Sequence, residues 1–344
     1  MALMTMPRCC SARSFTSLGI AGLLLACSPA ASTPTPAASL QPCAGSKVPP
    51  IIPKPSVATC GSDQWCLVAA IPKQVTLSAI WGAAANDAWA VGEAGTLWHW
   101  NGTEWSAAAS GTESALRAVA GTSASNVWAA GLDGTLLHFD GSVWSATQPS
   151  GSPWSPAAGP NVRPFYALFA SAPSQLWVGG SGLRHFDGKS WTEPSYPSPS
   201  PVTAIWAADT SSAWAAGLGG TLHQWSGREW RRIPHDHGPD FFDIWGSAAN
   251  DVWLSGSAGA ILHWDGTLWT GSPSGTSSDL HAVFGFGARD VWAVGDRGTI
   301  LHWRGSAWEL VPSPSTYALL GVWGGSERDV WIVGENGTIL HRHS

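Results

Sequence analysis

The sequence predicts an all-β protein, a seven-bladed β-propeller of four-stranded blades whose last blade is closed by an N-terminal strand. Three observations carry that expectation. The first is composition: the 344 residues hold 40 Gly and 24 Trp, but only 12% are charged. That is about half the usual charged share. Helix bundles draw on Leu, Glu, Lys and Arg, whereas aromatic and β-branched residues between Gly-rich turns favour short strands. The second is a repeat. Trp returns at 89, 128, 177, 214, 253, 292 and 331, at spacings of 39, 49, 37, 39, 39 and 39. The third is a companion Trp sixteen residues later, at 105, 144, 230, 269 and 308, and fourteen later at 191. A repeat of about 40 residues suits a propeller blade.

Residues 280–308 show how each unit divides. Leu280-His281-Ala282-Val283-Phe284 reads as a first strand and Val291-Trp292-Ala293-Val294 as a second. A Gly-rich turn, Asp296-Arg297-Gly298, leads to Thr299-Ile300-Leu301-His302-Trp303. Arg304-Gly305-Ser306 then leads into a fourth strand containing Trp308. The seventh copy ends at Ser344 without a fourth strand. Trp65 lies 24 residues before Trp89, where the matching distance is 23 in five other places. Residues near 62–70 therefore supply the missing strand, which closes the ring and covers a sheet edge.

The segment before the repeats reads as address and tether. Arg8 and Arg13 precede a short apolar run, Leu18 to Ala26, too short to span a bilayer and fitting for a signal peptide. Leu24-Leu25-Ala26-Cys27 resembles the bacterial lipobox. That resemblance implies cleavage after residue 26, lipidation of Cys27 and, with Ser28 rather than Asp next, sorting to the outer membrane. Residues 27–59 are rich in Pro, Ala, Ser and Thr and form an extended tether. The propeller occupies residues 60–344. An exported compartment permits disulfides, and Cys60 with Cys66 is the favoured pair, although spacing alone does not fix connectivity.

Asn250-Asp251-Val252-Trp253 and Gly337-Thr338-Ile339-Leu340-His341 show the repeat cleanly. Residues 61–344 resemble the Trp-rich BNR/YVTN-like propellers of bacterial secreted proteins and lipoproteins. The match to a strict Asp-box is partial, and the Trp-Asp pair of WD-repeat proteins is absent. Such propellers range from binding modules to sialidases and lyases, so fold leaves function open.

Most chemical-looking residues have a structural explanation. Of the 24 Trp, all but Trp98 and Trp154 fall at four register positions, which suits blade-to-blade packing. His99, His138, His185, His263, His302 and His341 share one position, with Gln224 in the fourth blade. Each is expected to bond a local Asp, Asn or hydroxyl rather than a metal. The recurring Asp87, Asp251, Asp290 and Asp329, with Asn126, read as turn residues bonding their own backbone. His235-Asp236-His237 reads as a solvated loop, short of a complete metal site. No cofactor or metal motif is present, and the net charge of −6 argues against nucleic acid.

The repeats also allow an internal comparison. One first-strand position is small in six blades, Ala79, Ala118, Ala167, Ala204, Ala282 and Gly321, but is Asp243 in the fifth. The preceding position varies: Ser78, Arg117, Tyr166, Thr203, Phe242, His281 and Leu320. The connection between blades two and three is ten residues longer than its peers and carries Trp154. A ligand site is expected on the face holding these loops, with Trp154, Arg117, Tyr166, Asp243 and His281 as binding candidates. The function expected is non-catalytic: a monomeric, lipid-anchored envelope module binding an envelope protein or polysaccharide. The alternatives are a glycan-active enzyme of sialidase or lyase type, or an adhesin of a type IV pilus-like system.

Overall fold

The computed structural model describes residues 64–68, 74–147, 163–196, 198, 200–234 and 238–343. They form seven four-stranded antiparallel sheets, each ordered first to fourth strand in sequence order, except the last. Blade one comprises Leu77–Ala84, Asp87–Gly92, Leu97–Trp100 and Trp105–Ala108. The first strands of the next five blades are Leu116–Ser123, Phe165–Ala172, Val202–Ala207, Phe241–Ala248 and Leu280–Gly287. Blade seven takes Leu319–Ser326, Asp329–Gly334 and Ile339–His343 from the C-terminal end. Its fourth strand is Trp65–Leu67, with Trp65 opposite Arg342 and Leu67 opposite Leu340. The predicted closure is therefore present. The first strands of successive blades lie side by side around the axis, blade seven against blade one included.

Tryptophan explains why the blades stay together. The second-strand Trp of one blade meets the fourth-strand Trp of the next edge to face. Trp89–Trp144, Trp177–Trp230, Trp214–Trp269 and Trp253–Trp308 have centroids 5.1–5.4 Å apart and interplanar angles of 83–88°. Trp331–Trp105 joins blade seven to blade one at 5.4 Å, and Trp292–Trp65 joins blade six to the N-terminal strand at 5.5 Å. An edge-to-face pair sets the positive edge of one ring on the negative face of the other, adding roughly 0.5–1.5 kcal/mol beyond the area buried. Trp98, outside the register, is also a core residue, packed with Trp331 and Trp323.

In six blades the same Trp also stacks on or lies beside its blade's His, whereas blade four has Gln224 opposite Trp214. Stacked centroid distances run from 3.7 Å for Trp292–His302 and Trp331–His341 to 4.3 Å for Trp89–His99 and Trp177–His185. The ring Nε2 contacts Asp87, Asp251, Asp290 or Asp329 at 2.6–2.7 Å. These carboxylates are thus not simply turn residues closing on their own backbone. The second and third strands are antiparallel, so a residue two before the Trp lies beside the His twelve residues on.

In blades two and three the His partner is an amide: Asn126 for His138 at 2.8 Å and Gln175 for His185 at 2.7 Å. Burial lowers the pKa of both rings, opposed by the charges of Asp140 and Asp187 respectively. A His whose folded pKa is depressed stabilises the fold above its unfolded value near 6.5, and that contribution is lost as pH falls towards the folded value.

These contacts can be tested at two positions. Trp65→Ala removes the closing half of an edge-to-face pair and should cost about 3–5 kcal/mol; a thermal melt overlying wild type would refute its role in closure. Asn126→Asp places a carboxylate on His138 and should raise that ring's pKa, as followed by NMR titration, while leaving His185 unmoved.

Candidate functional site

The site begins at a defect in the strand pairing. In every blade the register between first and second strands slips once near the strand start: Leu77/Ala79, Leu116/Ala118, Phe165/Ala167, Val202/Ala204, Phe241/Asp243, Leu280/Ala282 and Leu319/Gly321. A β-bulge leaves one residue unpaired and re-aims its side chain. The skipped residues are those that vary from blade to blade. All seven are half-buried and line one central cavity of ≈ 180 Å³.

The bulged positions lie at the starts of the first strands, beside the ends of the second strands, as Leu77 opposite Gly92 shows in blade one. The second-to-third strand turns and the loops entering the first strands are bonded to each other there. Glu93 N–H donates to Thr76 O at 3.0 Å, Ser257 N–H to Asp240 O at 2.9 Å and Asp296 N–H to Asp279 O at 2.9 Å. Those turns are tight. Ala94, Asp133, Ala258, Arg297 and Asn336 have φ of 51–56°, each followed by a Gly of positive φ. Gly298 is obligatory for a second reason, since a Cβ there would lie 1.8 Å from Ser315 O.

Four of the five candidate residues come together around this cavity: Arg117, Tyr166, Asp243 and His281. Trp154 and the loop carrying it lie outside the described residues, as do Cys27, Cys60 and His235-Asp236-His237. Cys66 is disulfide-bonded, and its partner also lies outside the described residues. Arg117 Nη1 is 3.5 Å from Ser78 Oγ, a long contact that leaves most of the guanidinium's donors to the cavity. His281 Nε2 contacts Asp296 Oδ1 at 2.7 Å, and its ring lies 5.4 Å from that of Phe242. Thr203 is occupied, donating to Phe241 O at 2.6 Å.

Small residues follow the bulge because the inner strands crowd there. A Cβ on Gly321 would lie 3.2 Å from the Ile80 nitrogen of the neighbouring blade. Asp243 points into the equivalent seam. Its Oδ2 accepts the N–H of Val283 in blade six, and its Oδ1 accepts the N–H of Ile244, both at 2.9 Å. Burial pushes its pKa up to about 7, against the two backbone hydrogen bonds, which lower it. Its wall position, hemmed by inner strands, limits the water that could solvate a charge.

Sequence reasoning missed a second set of buried polar residues. At the third-strand position that is Trp98 in blade one and Leu137, Leu262, Leu301 or Leu340 in four others, blade three has Arg184 and blade four His223. Arg184 is 2% exposed, its guanidinium 5.1 Å from the Phe165 ring and 3.8 Å from Glu193 Oε1. Burial lowers its pKa, with Glu193 opposing. His223 packs 4.4 Å from the ring of Tyr196, whose hydroxyl pKa burial raises. Comparing this one register position across blades would have exposed both.

Fold and site together define a seven-bladed β-propeller with a polar central cavity. No protein-family model matches the sequence, and no curated protein matches it. Among solved structures, YCF48 bound to D1 peptide is similar at TM-score 0.66 and 15% identity, covering 84% of this protein and 100% of that one. YCF48 from Cyanidioschyzon merolae gives 0.65 and 16%, covering 81% and 98%. The WD40 β-propeller domain of Doa1 gives 0.64 and 13%, covering 81% and 96%. At these identities the likeness is one of fold.

Asp243 yields a prediction with a definite sign. An acid whose folded pKa is raised weakens the fold as pH climbs from its unfolded value near 4 towards 7, by up to roughly 4 kcal/mol for a shift of this size. Asp243→Ala, which restores the residue found in five other blades, should remove that penalty. The variant's melting temperature should gain on wild type between pH 5 and pH 8; an unchanged gap would show that Asp243 does not titrate there.

Proposed function

We propose that this protein is a non-catalytic binding propeller that holds a protein partner on the face bearing the channel mouth. One observation carries the reading: seven repeats keep their packing residues, yet present seven different side chains around a single cavity. Ser78, Arg117, Tyr166, Thr203, Phe242, His281 and Leu320 serve no common structural purpose. An invariant frame with a variable rim suits recognition. The structure in which YCF48 is bound to a D1 peptide supports the idea that a propeller of this shape can hold a polypeptide.

The binding reading is preferred to a glycosidase one on chemical grounds. Glycoside hydrolysis generally uses two carboxyl groups, or a Tyr nucleophile with an Arg cluster and an acid. Among the described residues lining the cavity there is one carboxylate, Asp243, and one Arg, Arg117. The reading includes an envelope address: lipidation at Cys27, a tether over residues 27–59 and retention at the outer membrane, with a Cys60–Cys66 bridge beside the closing strand. It includes a site extended by Trp154 from the long connection.

The test is a comparison of captured partners. The full lipidated protein, immobilised in detergent, is challenged with solubilised envelope protein and with cell-wall polysaccharide. A protein retained by wild type and lost by at least tenfold in the Arg117→Ala/Tyr166→Ala/His281→Ala variant would support the reading. Retention of polysaccharide instead, or of protein equally by both forms, would overturn it.

A further inference from the structure

The backbone of the inner strands adds a chemical feature that the side chains do not announce. Ile244 and Val283 both turn their N–H groups to the Asp243 carboxylate. In the antiparallel register Ile244 pairs with Leu254 and Val283 with Ala293. The corresponding pairs in the other blades are Ile80–Ala90, Val119–Ala129, Leu168–Val178, Ile205–Ala215 and Val322–Ile332. Ladder bonds alternate along a strand, so the same register turns both the N–H and the C=O of these residues away from the second strand and towards the axis, and of the two it is the N–H that can meet a carboxylate. Ile80, Val119, Leu168, Ile205 and Val322 all line the cavity, although their side chains pack among the blades. Ile244 and Val283, covered by Asp243, do not line it.

The five open positions are contiguous around the ring: blades seven, one, two, three and four. Arg117 stands on blade two, at the middle of that arc. In a seven-membered ring the point opposite blade two is the seam between blades five and six, where Asp243 sits. The channel is therefore two-sided, with a donor arc crowned by a guanidinium facing one carboxylate. Inward-facing backbone N–H groups together with an Arg favour an anion. The molecule already shows what such a pair of amides accepts, because Asp243 places a carboxylate oxygen on each of two of them.

We propose that the central channel is a carboxylate-binding site, in which the donor arc and Arg117 receive an acidic group of the bound polypeptide. This rests on the reading that the partner docks on the channel face, and it names the group that anchors it. The acidic group is an Asp or Glu side chain or the free C-terminus of the polypeptide; both present the same carboxylate.

The experiment titrates the full-length 15N-labelled protein in detergent at pH 6 and constant ionic strength. The probes are sodium acetate, Ac-Gly-Gly-Asp-Gly-NH2, Ac-Gly-Gly-Gly with a free C-terminus, and two neutral controls, acetamide and Ac-Gly-Gly-Asn-Gly-NH2. The carboxylates should shift the amide resonances of Ile80, Val119, Leu168, Ile205 and Val322 in a saturable manner, and the neutral controls should not. The tighter peptide identifies the source of the carboxylate. Arg117→Ala should weaken binding at least fivefold, with Arg117→Lys recovering part of it. Asp243→Ala frees two further amides, so it should tighten carboxylate binding. Loss of binding in Asp243→Ala would mean that Asp243 itself, rather than the open amides, holds the probe, and would overturn the proposal. Equal shifts with the neutral controls, or unmoved channel amides, would also overturn it. Unmoved amides alongside Arg117-dependent partner capture would leave the binding propeller standing and remove the carboxylate anchor alone.

Discussion

The edge-to-face Trp pair between neighbouring blades is the contact on which the architecture depends. A propeller blade is an open four-stranded sheet, and nothing in its own hydrogen bonding tells it where the next blade should sit. Here a second-strand Trp receives the fourth-strand Trp of the following blade at centroid distances of 5.1–5.5 Å. The preference of aromatic quadrupoles for this geometry fixes distance and angle together. In six blades the same Trp also meets a His, which an Asp, Asn or Gln anchors in the blade. One Trp thus couples the interior of a blade to its neighbour. A ring built this way needs many Trp and few charges. Its final blade also has to borrow a Trp from the N-terminal side, which is the part Trp65 plays.

The seam between blades two and three departs from this rule, and its neighbours show why. There the second-strand Trp128 meets Phe186 at 6.3 Å, while Trp191 lies tilted against Phe186 at 5.1 Å within blade three. The fourth strand of blade three is reduced to Trp191–Thr192, and Trp191 comes two residues earlier than its counterparts. Arg184 lies over Phe165 on this side of blade three. A guanidinium is weakly hydrated and stacks on aromatic faces, so it can be buried where an ammonium would be much costlier. The longest interblade connection, residues 147–164, enters at this same seam. The position least bound by the Trp rule is where extra residues and a buried charge are accommodated.

How much could be read from the sequence depends on which forces act on side chains. Blade number, strand order, the role of Trp65 and the shared face of the loops follow from Trp and Gly spacing, because those residues are the packing. Arg117, Tyr166, Asp243 and His281 stand out by comparing repeats, since a tolerant position differs from a constrained one. The carboxylates two residues before the Trp in four blades, Asp87, Asp251, Asp290 and Asp329, look like turn formers, yet each bonds its blade's His; Asp is common in turns, and its partner is set by cross-strand pairing twelve residues away. Arg184 and His223 escape notice because the His and Trp registers on either side of them dominate the comparison.

The channel shows a deeper reason for partial legibility. The crowded axis admits Ala or Gly at the seam position, because the next blade stands close: a Cβ added at Gly321 would lie 3.2 Å from the Ile80 nitrogen, tighter than ordinary van der Waals contact. What this crowding leaves exposed is backbone, and backbone amides are the same in every sequence. Residue identity therefore reports the exception, Asp243, rather than the rule it interrupts. A carboxylate there is costly, as its elevated pKa shows, and it gains two amide donors in return. Asp243 fills one part of the ring with the protein's own carboxylate and so confines the open donors to the side where Arg117 stands. An external acidic group would then have a single place and a single orientation in which to bind, which a uniform ring of seven equivalent seams could not impose.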